Sequence, residues 1–166
     1  MLPQTDHGYK WGFQNLCTPA QSASILSAPG VSAPGAPAAV PGPPTQNIQL
    51  SPVSDIFPPW SWIQNNLPAD FVHTNPITQV VTTSPVFQIT NVTQPGHIFG
   101  GQVVTAVTPS GPFSYVNSQG SGNGNWPILN NILGSLFFGG RNLAMALVCG
   151  SKGAGDPNGA PPHTPL

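Results

Sequence analysis

The part of the sequence that most favours β-strands runs from Ile77 to Thr108, where over half of the residues are Val, Ile or Thr. These β-branched side chains suit extended backbone. Pro and Gly at residues 94–97 and 109–112 give two turn signals. We therefore predict a small antiparallel β meander over about 77–117, with strands near 77–83, 86–93, 98–108 and 113–117.

A helical pattern of apolar residues begins after Asn125. Asn125 suits an N-cap, Pro127 suits the first turn, and Gly139-Gly140 is expected to end the helix. The pattern predicts one C-terminal apolar helix over about 126–138. Its stripe consists of Ile128, Leu129, Ile132, Leu133, Leu136 and Phe137.

Between the N-terminus and the predicted meander lies a proline-rich stretch over residues 18–59. Residues 28–44 contain only Ala, Pro, Gly, Val and Ser. Proline removes backbone donors and fixes φ, so we expect polyproline II and turns here. The stretch is predicted to be an extended strap.

The fold class that these patterns predict is a mostly irregular, extended Pro/Gly-rich chain that carries only the small meander and the one helix. Its predicted segments are an N-terminal aromatic anchor (1–17), the strap (18–59), a small β-rich core with a Trp anchor (60–117), a Gly linker (118–125), an apolar helical segment (126–149) and a Gly/Pro-rich extended tail (150–166).

Charge is nearly absent from the sequence. Three Lys and Arg and four Asp make up 4% of 166 residues, where about 25% is typical. Three cations cannot neutralise a run of phosphates, so binding of nucleic acid by charge is excluded. An uncharged surface tends to associate, which favours a chain held inside an assembly.

Aromatic and apolar side chains are the candidate contacts with such an assembly. Large rings bury 150–250 Å² each, roughly, and can therefore pin a segment to a partner. The predicted interface anchors are Tyr9, Trp11, Phe13, Trp60, Trp62, Trp126, Leu133 and Phe137.

Catalytic and cofactor motifs are weak in this sequence. Asp70 and His73 form the best acid–base pair, but no suitably placed nucleophile accompanies them. The glycines at residues 120–124 do not have the spacing of a phosphate-binding loop. The four histidines are scattered without metal-ligand spacing. The sequence thus predicts no enzyme, no cofactor and no metal.

Cys17 and Cys149 are far apart in the sequence. We expect two separate buried thiols, although the two residues could also pair.

Residues 126–149 are long enough to cross a bilayer. However, Arg141 within this run costs about 2.5–3.5 kcal/mol on insertion scales. A helix packed on protein is therefore favoured over a membrane span.

Composition and organisation together favour a structural, non-enzymatic component of a large assembly. In this respect the chain resembles the minor capsid or cement proteins of icosahedral virions, which strap neighbouring subunits together. The resemblance implies a virion location and major capsid-type partners. One alternative is a secreted or wall matrix protein, which the sequon at Asn91 and the repeated Ala-Pro-Gly favour. The other is a membrane-associated structural protein anchored by 126–149. Residues 1–7 lack the pattern of a signal peptide.

Overall fold

Six antiparallel strands and a C-terminal helix make up the computed structural model, which describes residues 6–56, 60–123 and 126–150. The strands are β1 (Asp6–Asn15), β2 (Gly42–Leu50), β3 (Asn75–Thr82), β4 (Phe87–Thr93), β5 (Gln102–Ser110) and β6 (Phe113–Asn123). The helices are α1 (Pro19–Ser27), the short α2 (Ser61–Gln64), α3 (Pro127–Gly134) and α4 (Gly140–Cys149), with a π-helical turn (Ser135–Gly139) that joins the last two. Short 3₁₀ turns lie at Val53–Ile56 and Ala69–Phe71.

The strand order in the sheet is β1-β6-β5-β4-β3-β2. Strands β3 to β6 form a meander, β2 pairs with β3 at one edge, and β1 pairs with β6 at the other. The chain therefore crosses the whole width of the sheet between β1 and β2.

The prediction of a mostly extended, irregular chain is wrong, because the described chain folds into a compact β-rich unit. Alternation explains why the strands form. In β3, the side chains from Asn75 to Val81 are buried at every second position. A period of two places one face of a strand toward a core and the other toward solvent. The outer face needs no charge, because Thr, Gln and Asn can cover it.

The predicted strap over 18–59 is not one extended segment: residues 18–41 form the connection that crosses the sheet, and the rest contains β2 and the 3₁₀ turn at Val53–Ile56. The connection begins with α1, where Thr18 and Gln21 form a capping box and Pro19 occupies the first turn. Beyond α1, small residues let the backbone pack closely on the sheet. Ala33 and Ala36 join a buried cluster with Ile48, Leu50 and Ile77, while Leu26 and Ala39 join a second with Val81, Ile89, Val107, Val116 and Met145.

The described parts of the predicted N-terminal aromatic anchor and of the Gly linker are mostly strand, while residues 1–5 lie outside the described residues. Tyr9, Trp11 and Phe13 alternate along β1, as the period of a strand requires. Residues 118–123 continue β6, because Gly120 lies directly opposite Tyr9 and a side chain there would collide with the Tyr9 ring. Residues 124 and 125 and the predicted tail over 151–166 lie outside the described residues.

The C-terminal helix continues beyond the predicted end at Gly139-Gly140. A Cβ atom at Gly139 would lie 2.8 Å from Trp11 Cδ2, so glycine is needed there for close packing on β1 rather than for a stop. Helical hydrogen bonds continue through the π-helical turn into α4. We call the continuous element from Pro127 to Cys149 the C-terminal helix.

The expectation of two separate thiols is also wrong. Cys17 and Cys149 form a disulfide with their Cα atoms 5.2 Å apart. The C-terminal helix lies along β1, which brings its last residue to the end of that strand. The neighbouring backbone confirms this placement, since Leu16 N–H donates to Gly150 C=O at 2.8 Å.

Removing this crosslink should destabilise the fold markedly. Because the disulfide joins residues 132 positions apart, it restricts the unfolded chain strongly, and we expect Cys17→Ser with Cys149→Ser to lose about 3–5 kcal/mol of unfolding free energy. Urea unfolding of the double variant and the oxidised protein would measure the loss. Two reactive thiols in the folded protein purified without reductant would contradict the pairing.

Candidate functional site

The C-terminal helix presents an apolar face to solvent. Ile128 and Leu147, near its two ends, are 76% and 72% exposed. We define the helix stripe as the exposed residues Ile128, Ile132, Leu136, Leu143 and Leu147. They lie four positions apart, with one interval of seven, and therefore share one side of the helix. Isolated apolar side chains are common on protein surfaces, whereas a continuous apolar patch marks an interaction site.

The opposite side of this helix is firmly attached to the protein. Leu133, Phe138, Met145 and Ala146 are buried there. Apolar side chains therefore lie on both sides of the helix, although only one of its sides is covered by the described chain. An element with two apolar sides needs two partners to bury them.

Three exposed tryptophans, Trp60, Trp62 and Trp126, add to the apolar surface of the protein. Trp60 and Trp62 are more than half exposed. Trp126 packs edge-on against Phe71 with 5.3 Å between ring centroids, which ties the turn at Ala69–Phe71 to the helix start. These three tryptophans thus have exposed surface, and their role as interface anchors stays a prediction.

The other predicted anchors contribute mainly to the protein's own core. Tyr9, Phe13 and Leu133 are buried, and Trp11 and Phe137 are half-buried. Tyr9 stacks with Phe138, and Trp11 stacks with Phe13. Sequence alone could not separate the two groups, because a ring that packs inward and a ring that binds a partner have the same composition.

A groove of about 610 Å³ is lined by residues of the helix and of β1. Its walls are almost entirely apolar, and part of the helix stripe forms one of them. The lining residues are Gly8, Tyr9, Trp11, Phe13, Asn131, Ile132, Ser135, Leu136, Gly139, Gly140 and Leu143.

Beneath the helix, the guanidinium of Arg141 is buried against the sheet. Its Nη2 donates to Ser118 Oγ at 2.8 Å and to Thr105 Oγ1 at 2.9 Å. Its Nη1 donates to the carbonyls of Val31 and Ser32 at 3.0 and 3.3 Å. The side chain therefore joins the helix, strands β5 and β6, and the crossing connection.

Asn142 extends this network. Its Oδ1 accepts from both Nε and Nη2 of Arg141, at 3.1 and 3.0 Å. Its Nδ2 donates to Ser118 Oγ and to Trp11 C=O. Two consecutive polar residues on the buried side of an apolar helix are thus fully used in holding that helix to β1 and β6.

The described residues supply no carboxylate to the guanidinium; its hydrogen-bond acceptors are neutral oxygens, and the ring of Phe138 lies 5.1 Å from its central carbon. Burial lowers the pKa of Arg141 to about 9, with a smaller opposing effect from Tyr9. Arg141 therefore stays protonated at neutral pH. Burial also raises the pKa of Tyr9, so its phenol stays neutral.

A second set of buried polar groups lies farther across the sheet. Gln79 Nε2 donates to Asn91 Oδ1 at 2.9 Å and to Ser32 Oγ at 3.0 Å. Asn91 Nδ2 donates to Ser32 C=O. Asn91 is 6% exposed, so the sequon that begins there is part of the core and offers no free amide to a glycan.

The candidate catalytic residues do not form a site. Asp70 and His73 are both exposed, and His73 Nδ1 bonds to the carbonyl of the adjacent Thr74 at 2.9 Å. The glycines at 120 and 122 belong to β6 and are paired with β1, so they form strand rather than a loop. Among the described residues, no group of three or more His, Cys, Asp or Glu could hold a metal ion.

A small cavity of about 100 Å³ lies between the sheet and α3, and His97 lines it. The His97 Nδ1 accepts from Phe99 N–H at 3.0 Å. Burial lowers the pKa of His97 to about 4, and the neighbouring His73 lowers it a little further. The imidazole is therefore neutral with its proton on Nε2.

Comparison of this chain with protein-family models, with curated proteins and with solved structures gives no match. The class of protein is accordingly defined by the structure: a six-stranded antiparallel sheet, covered on one face by a helix whose outer side is apolar. The functional interpretation rests on that surface.

Sequence reasoning missed Arg141 as a structural centre. The signal was present, because a single arginine in a 23-residue apolar helix needs acceptors somewhere in the fold. From the sequence alone, this arginine indicates only that membrane insertion of the helix is unfavourable. Its partners Thr105 and Ser118 could not be identified, since their positions depend on strand pairing.

We expect Arg141→Met to lower the unfolding free energy by about 3–5 kcal/mol, because several buried acceptors lose their donor at once. Arg141→Lys should recover only part of this loss, since an ammonium cannot reach all of the acceptors. Urea unfolding measures both variants. Lys10→Met removes a partly exposed cation and is the control, expected within about 0.5 kcal/mol of the wild type. An Arg141→Met variant of unchanged stability would show that the network is dispensable.

His97 should make stability depend on pH. Its folded-state pKa of about 4 lies below the unfolded value of 6.5, so in this range the unfolded chain binds the proton more readily. Unfolding free energy should therefore fall by about 2 kcal/mol from pH 7 to pH 5. Urea unfolding at both pH values, compared with His97→Gln, measures this contribution. Equal pH dependence in the two proteins would remove His97 as its source.

Proposed function

We propose that this chain is a structural, non-enzymatic component of a larger assembly, which it joins through its apolar surface. The observation that carries the proposal is the exposed helix stripe, because the opposite side of the C-terminal helix is held firmly to the sheet. Arg141, Asn142 and the disulfide attach the helix to β1 and β6. A rigid apolar surface binds a partner without the cost of ordering itself first.

The scarcity of charge supports the same proposal. The described charged side chains near the helix are few, and none belongs to the helix stripe. Interface cores are depleted of charge relative to the rest of a protein surface. In this proposal the partners are other structural proteins, and the mechanism is docking of a folded unit rather than strapping by an extended chain.

The proposed location is a virion, with major capsid-type subunits as the neighbours. The disulfide supports a location outside the reducing cytosol, since such bonds persist on virion surfaces and in secreted proteins. The same observation favours the second candidate, a secreted or wall matrix protein. Burial of Asn91 means that the sequon adds nothing to that second candidate.

Insertion of the C-terminal helix into a membrane is the competing interpretation of its apolar surface. The C-terminal helix has the length and hydropathy of a membrane span, and it is partly buried in the protein. A span would have to withdraw Arg141 and Asn142 from their hydrogen bonds and place them in lipid, where a charge costs about 2.5–3.5 kcal/mol. A surface that docks on protein keeps both side chains where they are.

Charges placed on the helix stripe should prevent incorporation into the assembly. We expect Ile128→Lys with Leu147→Lys to reduce the fraction of chain in large particles at least about tenfold, because burying an amine in an apolar interface costs more than about 1.4 kcal/mol. Sedimentation of extracts from the producing cells measures that fraction. The control, Val40→Lys with Val92→Lys, changes exposed apolar residues elsewhere and should incorporate normally.

Two results would contradict the proposed function. In one, the wild-type chain is absent from large particles. In the other, the purified chain floats with phosphatidylcholine vesicles and the helix-stripe variant does not, which would make the surface a lipid-binding one.

A further inference from the structure

The core beside α3 is divided into two separate apolar clusters. Leu50 and Ile77 belong to the cluster under the crossing connection, whereas Val53, Leu133 and the half-buried Phe99 belong to the other. All five residues line the cavity of about 100 Å³ that lies between the sheet and α3. The main core of a domain is usually one contiguous cluster. The cavity is therefore the place where these two clusters are held apart.

The polar side chains in the wall of this cavity are largely used by the protein itself. Asn75 Oδ1 accepts from Ile98 N–H at 3.0 Å, and Thr93 Oγ1 accepts from Gly101 N–H at 2.9 Å. The amide of Asn91 is taken up by the buried polar set described above. A buried water needs two to four polar partners, whereas a cavity walled by Leu, Ile and Phe stays dry and takes up small apolar molecules.

Charge in the lining restricts the kind of molecule that fits. None of the residues that line the cavity is an Asp, Glu, Lys or Arg. An ion that entered would lose its hydration without a countercharge to replace it. The ligand that suits this cavity is therefore uncharged.

One polar group in the lining is available to orient such a ligand. His97 Nδ1 accepts from Phe99 N–H, so its proton is on Nε2, and this hydrogen bond does not use that donor. Ligand sites combine mostly apolar walls with a few polar groups that fix orientation. His97 Nε2–H suits a single acceptor atom on the ligand.

The cavity has a side from which a small molecule can enter. Among its lining residues, Gln102 is exposed, and His97 and Gly100 are half-buried. This side of the cavity therefore lies at the protein surface, next to the loop between β4 and β5. Entry requires only local movement of that loop rather than unfolding of the core.

We propose that this cavity binds a small uncharged aromatic molecule that accepts a hydrogen bond from His97 Nε2–H. Its volume of about 100 Å³ limits the ligand to a single ring, since an engineered apolar cavity of about 150 Å³ binds benzene. The ring joins the two clusters that the cavity separates. The site shares no residue with the helix stripe, so it goes beyond the proposed role in an assembly.

The first experiment titrates the purified chain with toluene and with phenol in a calorimeter. The two molecules are nearly equal in size, but only phenol has an oxygen that can accept from His97. We expect dissociation constants of about 1 mM or lower for both, which is within reach of seven heavy atoms in an apolar site. Each ligand should also raise the thermal unfolding temperature, because it binds only the folded chain.

Filling the cavity tests where the ring binds. Leu133→Trp places an indole in the cavity and should weaken toluene binding at least about tenfold. Leu129→Trp is the matched control, because Leu129 is on the same helix and packs against the same cluster but does not line the cavity. It should change the dissociation constant less than about threefold.

A variant with the opposite effect on volume guards against misfolding of the filled protein. Leu133→Ala enlarges the cavity, so it should still bind toluene, and the ligand should restore part of the lost thermal stability. Circular dichroism shows whether each variant is folded.

The role of His97 is tested with the same pair of ligands. His97→Leu should weaken phenol binding about fivefold or more, because the hydroxyl oxygen loses its donor. Toluene should bind this variant within about threefold of the wild type, which shows that the cavity itself is intact. Equal phenol affinity in the two proteins would remove His97 from the site.

Two other results would overturn the proposal. One is a wild-type chain that binds neither toluene nor phenol at millimolar concentration. The other is toluene binding that Leu133→Trp leaves unchanged, because the ring would then bind elsewhere on the protein, such as the helix stripe.

Discussion

The guanidinium of Arg141 is the point on which the two layers of this fold depend. Neutral oxygens from β5, β6, the crossing connection and the helix surround it and replace its water. A buried cation without a counter-charge is expensive unless all of its donors are used. The requirement is therefore mutual: the cation needs every one of these elements in place, and each of them is fixed by the cation.

Small and cyclic residues serve three separate purposes in this chain. Alanines allow the crossing connection to lie directly on the sheet, and glycines on β6 and the helix make room for the rings of β1. Prolines close the β2 edge. A composition typical of disordered segments therefore also suits a fold in which backbone approaches backbone closely. With so little charge available, the surface polarity comes from hydroxyl and amide groups.

The meander and the helix could be anticipated because both have local signals. The β-branched residues from Ile77 to Thr108 and the recurrence of apolar residues after Pro127 are visible in the sequence. β1 is not predicted although Tyr9, Trp11 and Phe13 also alternate, since three rings in a short segment favour an anchor as much as one face of a strand. Which side of the C-terminal helix is buried, and that Cys17 meets Cys149, depend on packing between distant segments that no local pattern records.

The pairing of β1 with β6 constrains the order in which the strands of the sheet can form. Asp6 lies opposite Asn123, and Asn15 lies opposite Ser114, so β1 finds its neighbour only after the other five strands have been made. Strands β3 to β6 need only hairpin contacts and can assemble early. Contacts between distant segments form slowly, because the loop between them must close first. During synthesis, β1 therefore waits without its partner, and its aromatic residues remain accessible to chaperones until the final strand emerges.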